Sequence, residues 1–265
     1  MSAISQAGYK VSISGTGADE LFTGYYDHGN LFLHYINQSN FSFDEALEGW
    51  KKNHAPYVRN KYLSDPFLYI NDPGFREHIY DDSNIFSKFL NKEWNEVYHE
   101  KDFKLGLLRN RMMNELFHEI VPVILHEDDL NAMYYSIENR SPFLDRRLLE
   151  TAFSIPEHFL IKDGMKKSLL RDAARGIVPD IILDNPKKVG FNGPIEHLLD
   201  ISDKNVRDRI LDDGPIFDLI NRKKLLNLFS KSNLSNSESK FIFNFLNIKI
   251  LLEHSENKSF PVGIA

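Results

Sequence analysis

Residues 12–26 read Ser12-Ile13-Ser14-Gly15-Thr16-Gly17-Ala18-Asp19-Glu20-Leu21-Phe22-Thr23-Gly24-Tyr25-Tyr26, and the reading of this stretch decides the fold. Just upstream, Tyr9-Lys10-Val11-Ser12-Ile13 alternates apolar and polar side chains, which is the period of a strand. The alternation stops at Ser14-Gly15-Thr16-Gly17, and a double acid, Asp19-Glu20, then leads into apolar Leu21 and Phe22. Strand, glycine turn and helix start, in that order, present backbone N–H groups and a helix N-terminus to an anion. The glycines permit close backbone approach, Ser14 offers a hydroxyl, and Asp19 is a hard oxygen donor of the kind magnesium takes beside phosphates. The same residues equally suit a capped turn whose acids favour the helix dipole. Spacing alone leaves both readings open.

Outward from this stretch the pattern turns helical. Leu31, Phe32, Tyr35 and Ile36 share a helical face, and Ser42 with Glu45 forms a capping box that continues through Leu47, Trp50 and Tyr57. From Ile85 to about Leu125 apolar residues recur at three and four, predicting two or three amphipathic helices, the last broken or kinked by Pro122. Residues 126–139 read as a further helical stretch, 141–145 as a turn launching a helix over 146–153, and 167–175 as a helix closed by Gly176. The tail from Ile216 to His254 reads as helical with a Ser/Asn-rich interruption at 230–239, and the last dozen residues as frayed. The chain is therefore mainly α, with one convincing strand. A nucleotide-type turn normally sits at the carboxyl ends of a multi-strand parallel sheet. The rest of that sheet is expected from elsewhere.

Composition narrows the function classes. The chain has 265 residues and a net charge of −6, from 32 basic and 38 acidic side chains, which argues against nucleic acid as a partner. The absence of cysteine removes disulfides, zinc-thiolate sites and thiol nucleophiles, and suits the cytoplasm. No apolar run approaches the roughly 20 residues of a membrane span, and no secretory leader is evident. The histidines show no zinc-binding spacing, and neither a Walker A loop nor a Gly-x-Ser-x-Gly elbow is present.

Three further motifs carry chemistry. In Glu138-Asn139-Arg140-Ser141-Pro142-Phe143-Leu144-Asp145, Arg140 suits bidentate contact with a carboxylate or phosphate, or else a buried structural corner satisfying backbone groups. In residues 184–194, Lys187 and Lys188 stand in a loop rich in proline and glycine, within reach of a phosphoryl group or simply solvated. Lys162, Lys166, Lys167, Arg171 and Arg175 form a basic run in which Lys167, Arg171 and Arg175 fall on one helical face at spacing four. That face lines an anion site or is a solvated surface.

In their order, these motifs resemble the synthetase domain of glutamine-dependent asparagine synthetases and their relatives. Residues 14–25 are similar to that family's second nucleotide motif, and 126–145 to its signature helix and corner. Lys167 and Arg171 match its lysine and arginine four apart, and Lys188-Val189-Gly190-Phe191 its phosphate-contacting lysine loop. The resemblance implies the C-terminal helical half of an adenine-nucleotide-hydrolase-like α/β domain of the Rossmann-like, PP-loop ATPase kind, with one or two strands near the N-terminus. It implies one incomplete synthetase domain over 1–265: strand and nucleotide turn to 25, a helical acceptor and phosphate region over 26–195, and C-terminal helices from 196. The implied cofactors are ATP and Mg2+, and the implied chemistry is activation of a carboxylate, aspartate in the family, as an acyl-adenylate attacked by ammonia from glutamine. By the same resemblance Ser14, Gly15 and Gly17 bind nucleotide, Asp19 holds the metal, Lys188, Lys167 and Arg171 bind pyrophosphate, and Lys188, Thr16 and Arg140 are catalytic. Lys187 is the weaker match, since the family's lysine stands directly before x-Gly-Phe.

Two departures qualify the match. Thr16 stands where the family usually has an acid, so the acid substrate or the nucleophile is open to change. The family's first phosphate loop, Ser-Gly-Gly-x-Asp-Ser, and its N-terminal cysteine nucleophile are absent. The chain is accordingly expected to be a fragment or split subunit, inactive alone, whose glutaminase and first phosphate loop come from another segment or chain. Alternatives are an enzyme forming or closing an amide on a sugar acid, peptide or β-amino acid, and a non-catalytic helical binding or regulatory subunit.

Overall fold

A computed structural model describes residues 1–79, 83–92, 99–188, 195, 198–231 and 234–256. The described residues are mainly helical, with two short strands, β1 (Val11–Ile13) and β2 (Glu138–Arg140). They fall into two compact units, one of residues 1–75 and 99–188, the other of residues 76–98 and 189–265.

In the first unit β1 and β2 pair in parallel, with Val11 opposite Glu138 and Ile13 opposite Arg140. Backbone bonds from Glu138 N to Lys10 O and from Ser14 N to Arg140 O, both 2.8 Å, extend the ladder at each end. On one face Ser12 Oγ donates to Asn139 Oδ1 at 2.7 Å. The second strand corrects the helix expected over 126–139. The helix is Val121–Tyr134, and Ser136 behind it takes a left-handed φ of 56°, which ends the helical path. Ile137 is then buried, and residues 138–140 are free to join β1.

Helix Phe43–Asn53 opens as the capping box predicts, with Ser42 Oγ accepting from Glu45 N at 3.3 Å. Asp44 and Glu45 stand in its first turn and Lys51 and Lys52 in its last, which suits the dipole at both ends. Helix Leu107–Asn114 runs into a wide turn, Glu115–Glu119, before Val121–Tyr134 begins. Ile120 N reaches back five residues to Glu115 O. Pro122 has no N–H for the carbonyl of His118, so the ladder widens ahead of it rather than kinking behind it. Asp145 caps helix Arg146–Ser154, accepting from Arg147 N at 2.9 Å and Leu148 N at 3.3 Å.

Two apolar clusters hold this unit. One buries Leu31, Phe32 and Ile36 of helix Tyr26–Asn37 against Tyr69, Leu108, Met112 and Leu160. The other buries Leu21 and Phe22, directly behind the glycine turn, against Leu116, Val121 and Ala152. Each such side chain contributes about 1.5–3 kcal/mol when withdrawn from water. The second cluster thus anchors the turn that carries Asp19.

The second unit is helical. Lys204–Ile210, Ile216–Leu219, Arg222–Phe229 and Asn236–Glu256 bury Ile216, Leu225, Phe229, Ile242 and Phe245. Phe86 stacks on Phe241 with ring centres 4.6 Å apart. Of the last dozen residues, read as frayed, 254–256 complete helix Asn236–Glu256 instead, and 257–265 lie outside the described residues, as does the Gly190-Phe191 half of the lysine loop. Among the described residues no helix is long and apolar enough to cross a membrane.

Candidate anion site

The site lies in the first unit and begins at the carboxyl ends of β1 and β2. Ser14 continues β1 through its bond to Arg140 O, and its Oγ donates to Thr16 Oγ1 at 3.1 Å. Its Oγ also lies 2.9 Å from Ser141 Oγ, so both strands deliver hydroxyls to one place. Gly17 follows with φ 98°, and a Cβ there would stand 2.5 Å from Leu144 Cδ2. Only glycine fits that corner. The helix that follows, Ala18–Phe22, has five residues. So short a helix has little macrodipole, and the positive charge expected from its N-terminus is supplied by lysines instead.

Asp19 is the centre of that arrangement. Lys188 Nζ lies 2.7 Å from Asp19 Oδ2, and Lys167 Nζ pairs with Oδ1. Burial pushes the carboxyl up, but the two ammoniums together outweigh it and hold the pKa at about 2. Gly24 makes room for this carboxylate: a Cβ there would lie 1.8 Å from Asp19 Oδ1. Two tyrosines hold Lys188. Its ammonium sits 3.8 Å from the centre of the Tyr25 ring, and Tyr26 OH donates to its backbone oxygen at 3.4 Å. Tyr25 OH in turn donates to buried Glu20 Oε1 at 2.5 Å.

Lys167 is placed by strain. It caps helix Ser168–Ala173 with a left-handed φ of 59°, and its N–H donates to Thr23 Oγ1 at 3.3 Å. Thr23 is fully buried and itself left-handed, with φ 66°. Its hydroxyl also donates to Leu160 O at 3.2 Å. A β-branched residue in that region costs about 1–3 kcal/mol. Two left-handed residues, Thr23 and Lys167, bonded to each other turn the chain so that Lys167 meets Asp19. Sequence reading missed Thr23, although a β-branched residue directly before a glycine at a helix end was its signal.

Lys166, next in the chain, is 8% exposed, with its Nζ 4.3 Å from the centre of the Tyr26 ring. Burial first, and then the charge of Lys188, bring its pKa down to about 7. Buried His54 packs edge-on against the same ring, and burial together with Lys166 brings its pKa down to about 3.

Two expected residues are not brought to Asp19. Arg140 stands on β2 and pairs with Glu138, Nε to Oε1 at 2.9 Å, and both side chains are about 60% exposed, so neither forms a buried corner. Arg171 donates to the carbonyls of Lys166, at 2.8 Å, and Leu183, bracing the backbone behind the lysines. The common face expected for Lys167, Arg171 and Arg175 does not form, because Lys167 precedes the helix and Arg175 follows it, paired with Asp180 and Asp184. Lys187 is exposed.

A second cluster lies beneath the site and was not foreseen. Asp27, His28 and Glu115 bring ligand-type atoms within 4.8 Å of one another. The cation there is Arg111, whose Nε lies 3.2 Å from both Asp27 Oδ2 and Glu115 Oε1 and whose Nη1 reaches Glu100 at 2.9 Å and Glu119 at 2.7 Å. His28 Nε2 lies 2.7 Å from Glu115 Oε2. Burial opposes a charged imidazole, and Glu115 overcomes it, so the His28 pKa is raised. This cluster is a buried ion network that holds helix Tyr26–Asn37 to the wide turn.

The Asp19 carboxylate suits magnesium, which takes one or two protein carboxylates and completes its shell with phosphate oxygens and water. Both Asp19 oxygens are held by ammoniums, so a cation there requires the lysines to pass to the phosphate.

A glycine turn at the ends of parallel strands, backed by one acid and two lysines, is the layout in which α/β proteins handle phosphorylated ligands. The chain belongs to the asparagine synthase family, whose sequence profile matches residues 1–253. It is similar to asparagine synthetase (glutamine-hydrolyzing) 1 of Bacillus subtilis, 30% identical over 205 residues that cover 71% of this chain and 31% of that protein. It is also similar to asparagine synthetase (glutamine-hydrolyzing) 3 of the same organism, 29% identical over 193 residues, 68% of this chain and 26% of that protein. The chain thus spans about a third or less of the length of these curated relatives.

Proposed function

We propose that the chain contributes the pyrophosphate-handling half of an ATP-dependent, amide-forming ligase of the asparagine synthetase type. The single observation that carries this reading is Asp19 bridged by Lys167 and Lys188 beside the glycine turn. The parent fold is a Rossmann-like, PP-loop ATPase domain, and its remaining strands, first phosphate loop and glutaminase lie outside these residues. The working protein is cytoplasmic.

In this reading Ser14, Gly15 and Gly17 line the nucleotide. A substrate carboxylate, aspartate by kinship, attacks the α-phosphorus of ATP, the bond to the β-phosphate oxygen breaks, and acyl-adenylate and pyrophosphate form. Lys188 and Lys167 leave Asp19 for the pyrophosphate oxygens as negative charge builds there. Asp19 would hold magnesium, which neutralises that charge. Ammonia released from glutamine then attacks the acyl carbon and AMP leaves. Thr16 can orient a substrate group by hydrogen bonding but cannot take a proton as a carboxylate would. Arg140, exposed at the end of β2, is free to exchange Glu138 for a substrate carboxylate. Arg171 supports the lysines from behind.

Thr16 also favours a second reading, amide formation or closure on a sugar acid, peptide or β-amino acid. Assaying several acids with ammonia and a complementing chain separates the two. A non-catalytic role is disfavoured by the intact Asp19–lysine group.

The test is calorimetric titration of inorganic pyrophosphate with magnesium into the full chain and into Lys188→Ala. A weakening of about tenfold or more is expected, the value of one charge-assisted contact. Equal affinity refutes the assignment. Alone the chain is expected to catalyse no ATP–pyrophosphate exchange, and robust exchange would overturn the incomplete-site reading.

A further inference from the structure

Resting on that reading, we infer that Lys166 is a third cation that touches the bound polyphosphate directly, beside Lys167 and Lys188. The other buried cations of this unit have oxygen partners within the protein. Arg111 has four carboxylates, and Arg109 donates through Nη2 to the carbonyls of Ala152 and Ile155, although its Nη1 has no partner. Lys166 is nine-tenths buried, and its ammonium has neither a carboxylate nor a carbonyl partner among the described residues; only the face of Tyr26 meets it. An ammonium in so desolvated a place, met by a ring alone, is disfavoured against one that is paired.

Three features direct that ammonium to the same ligand as its neighbours. Lys166 precedes Lys167 in the chain, and Arg171 pins its carbonyl at 2.8 Å. Its ring partner, Tyr26, is the residue whose hydroxyl holds the Lys188 backbone. The charges of Lys188, Asp27, Asp19 and Lys167, in that order, all act on it, and it acts in turn on His54. Three lysines then share Asp19, since Glu20 is engaged by Tyr25 and Asp27 by Arg111. That surplus of ammoniums over the one carboxylate they share suits a multiply charged anion such as pyrophosphate better than orthophosphate. An amine held near neutrality by burial and by Lys188 gains the most when such an anion arrives.

The test titrates inorganic pyrophosphate and, separately, orthophosphate into the wild-type full chain, K166M, K166R and K188A. Methionine keeps the apolar stem over Tyr26, and thermal unfolding checks that the variant folds. Pyrophosphate affinity should fall about tenfold or more in K166M, orthophosphate affinity about threefold or less, and K166R should restore pyrophosphate binding. If K166M binds pyrophosphate like wild type while K188A is weakened, the inference fails and the proposed function stands. Equal loss of both anions, with a lowered unfolding midpoint that K166R does not rescue, assigns Lys166 to packing and also overturns it. Failure of the wild-type chain to bind pyrophosphate removes the proposed function and this inference together.

Discussion

Replacing Asp19 by Asn keeps the side chain's shape and removes the one negative charge between two ammoniums. The three side chains are 22%, 29% and 24% exposed for Asp19, Lys167 and Lys188, so solvent screens them only in part. The pairing lowers the Asp19 pKa from 3.8 to about 2. At about 1.4 kcal/mol per pH unit, this corresponds to roughly 2–3 kcal/mol of folding stability. The folded value lies below the unfolded one, so the contribution is full above about pH 4 and is lost as pH falls through 2. The assay is urea unfolding of wild type and D19N between pH 2.5 and 7, without divalent cations. The stability gap should be about 2 kcal/mol at pH 7 and should shrink below about 1 kcal/mol at pH 2.5. A gap that is absent, or that stays constant across this range, refutes the ion-pair argument. The same variant tests the exchange of partners. D19N frees both lysines, so pyrophosphate without magnesium should bind it more tightly than wild type. Magnesium should strengthen pyrophosphate binding to wild type and leave binding to D19N unchanged.

Three other substitutions probe neighbouring parts of the fold. Gly24→Ala puts a methyl where the Asp19 carboxylate lies; it should cost about 1–3 kcal/mol and weaken magnesium-dependent pyrophosphate binding, read by thermal unfolding and calorimetry. Arg111→Met removes the guanidinium that Asp27, Glu115, Glu100 and Glu119 share, and should destabilise by about 3–5 kcal/mol in urea unfolding. His54→Leu should flatten the acid limb of the stability curve between about pH 6.5 and 3. The buried imidazole stays neutral while the unfolded one takes a proton, so wild-type stability is full above 6.5 and falls as pH drops toward 3. An unchanged acid limb in the variant would contradict the burial of a neutral histidine.

What could be read from the sequence follows the range of the forces involved. The capping box at Ser42, the Asp145 turn and the strand ahead of Ser14 are local, and each is present where its residues predict it. β2 was hidden because three residues carry no periodicity, and its partner lies more than a hundred positions away. The basic run misled for a related reason. Spacing four aligns side chains only while a helix continues, and the left-handed Lys167 stands outside it. That same departure sends Lys167 to Asp19 and leaves Arg171 to brace the backbone.

The tail of the opening motif gains a physical account from this geometry. Thr23, Gly24 and Tyr25 follow the short helix, and sequence reading assigned them no role of their own. In the fold each acts on the Asp19 group. Thr23 turns the chain into the left-handed region and takes the Lys167 amide. Gly24 leaves the space the carboxylate fills, and Tyr25 places its ring under the Lys188 ammonium. Asp19 is therefore fixed by residues four to six positions after it, together with two lysines brought from far along the chain. An isolated segment of residues 12–26 lacks both ammoniums, so its Asp19 should titrate near the ordinary 3.8, whereas in the full chain it should titrate near 2. Carboxyl NMR titration of the two samples distinguishes a site assembled by the fold from one inherent in the motif, and equal values would refute the former.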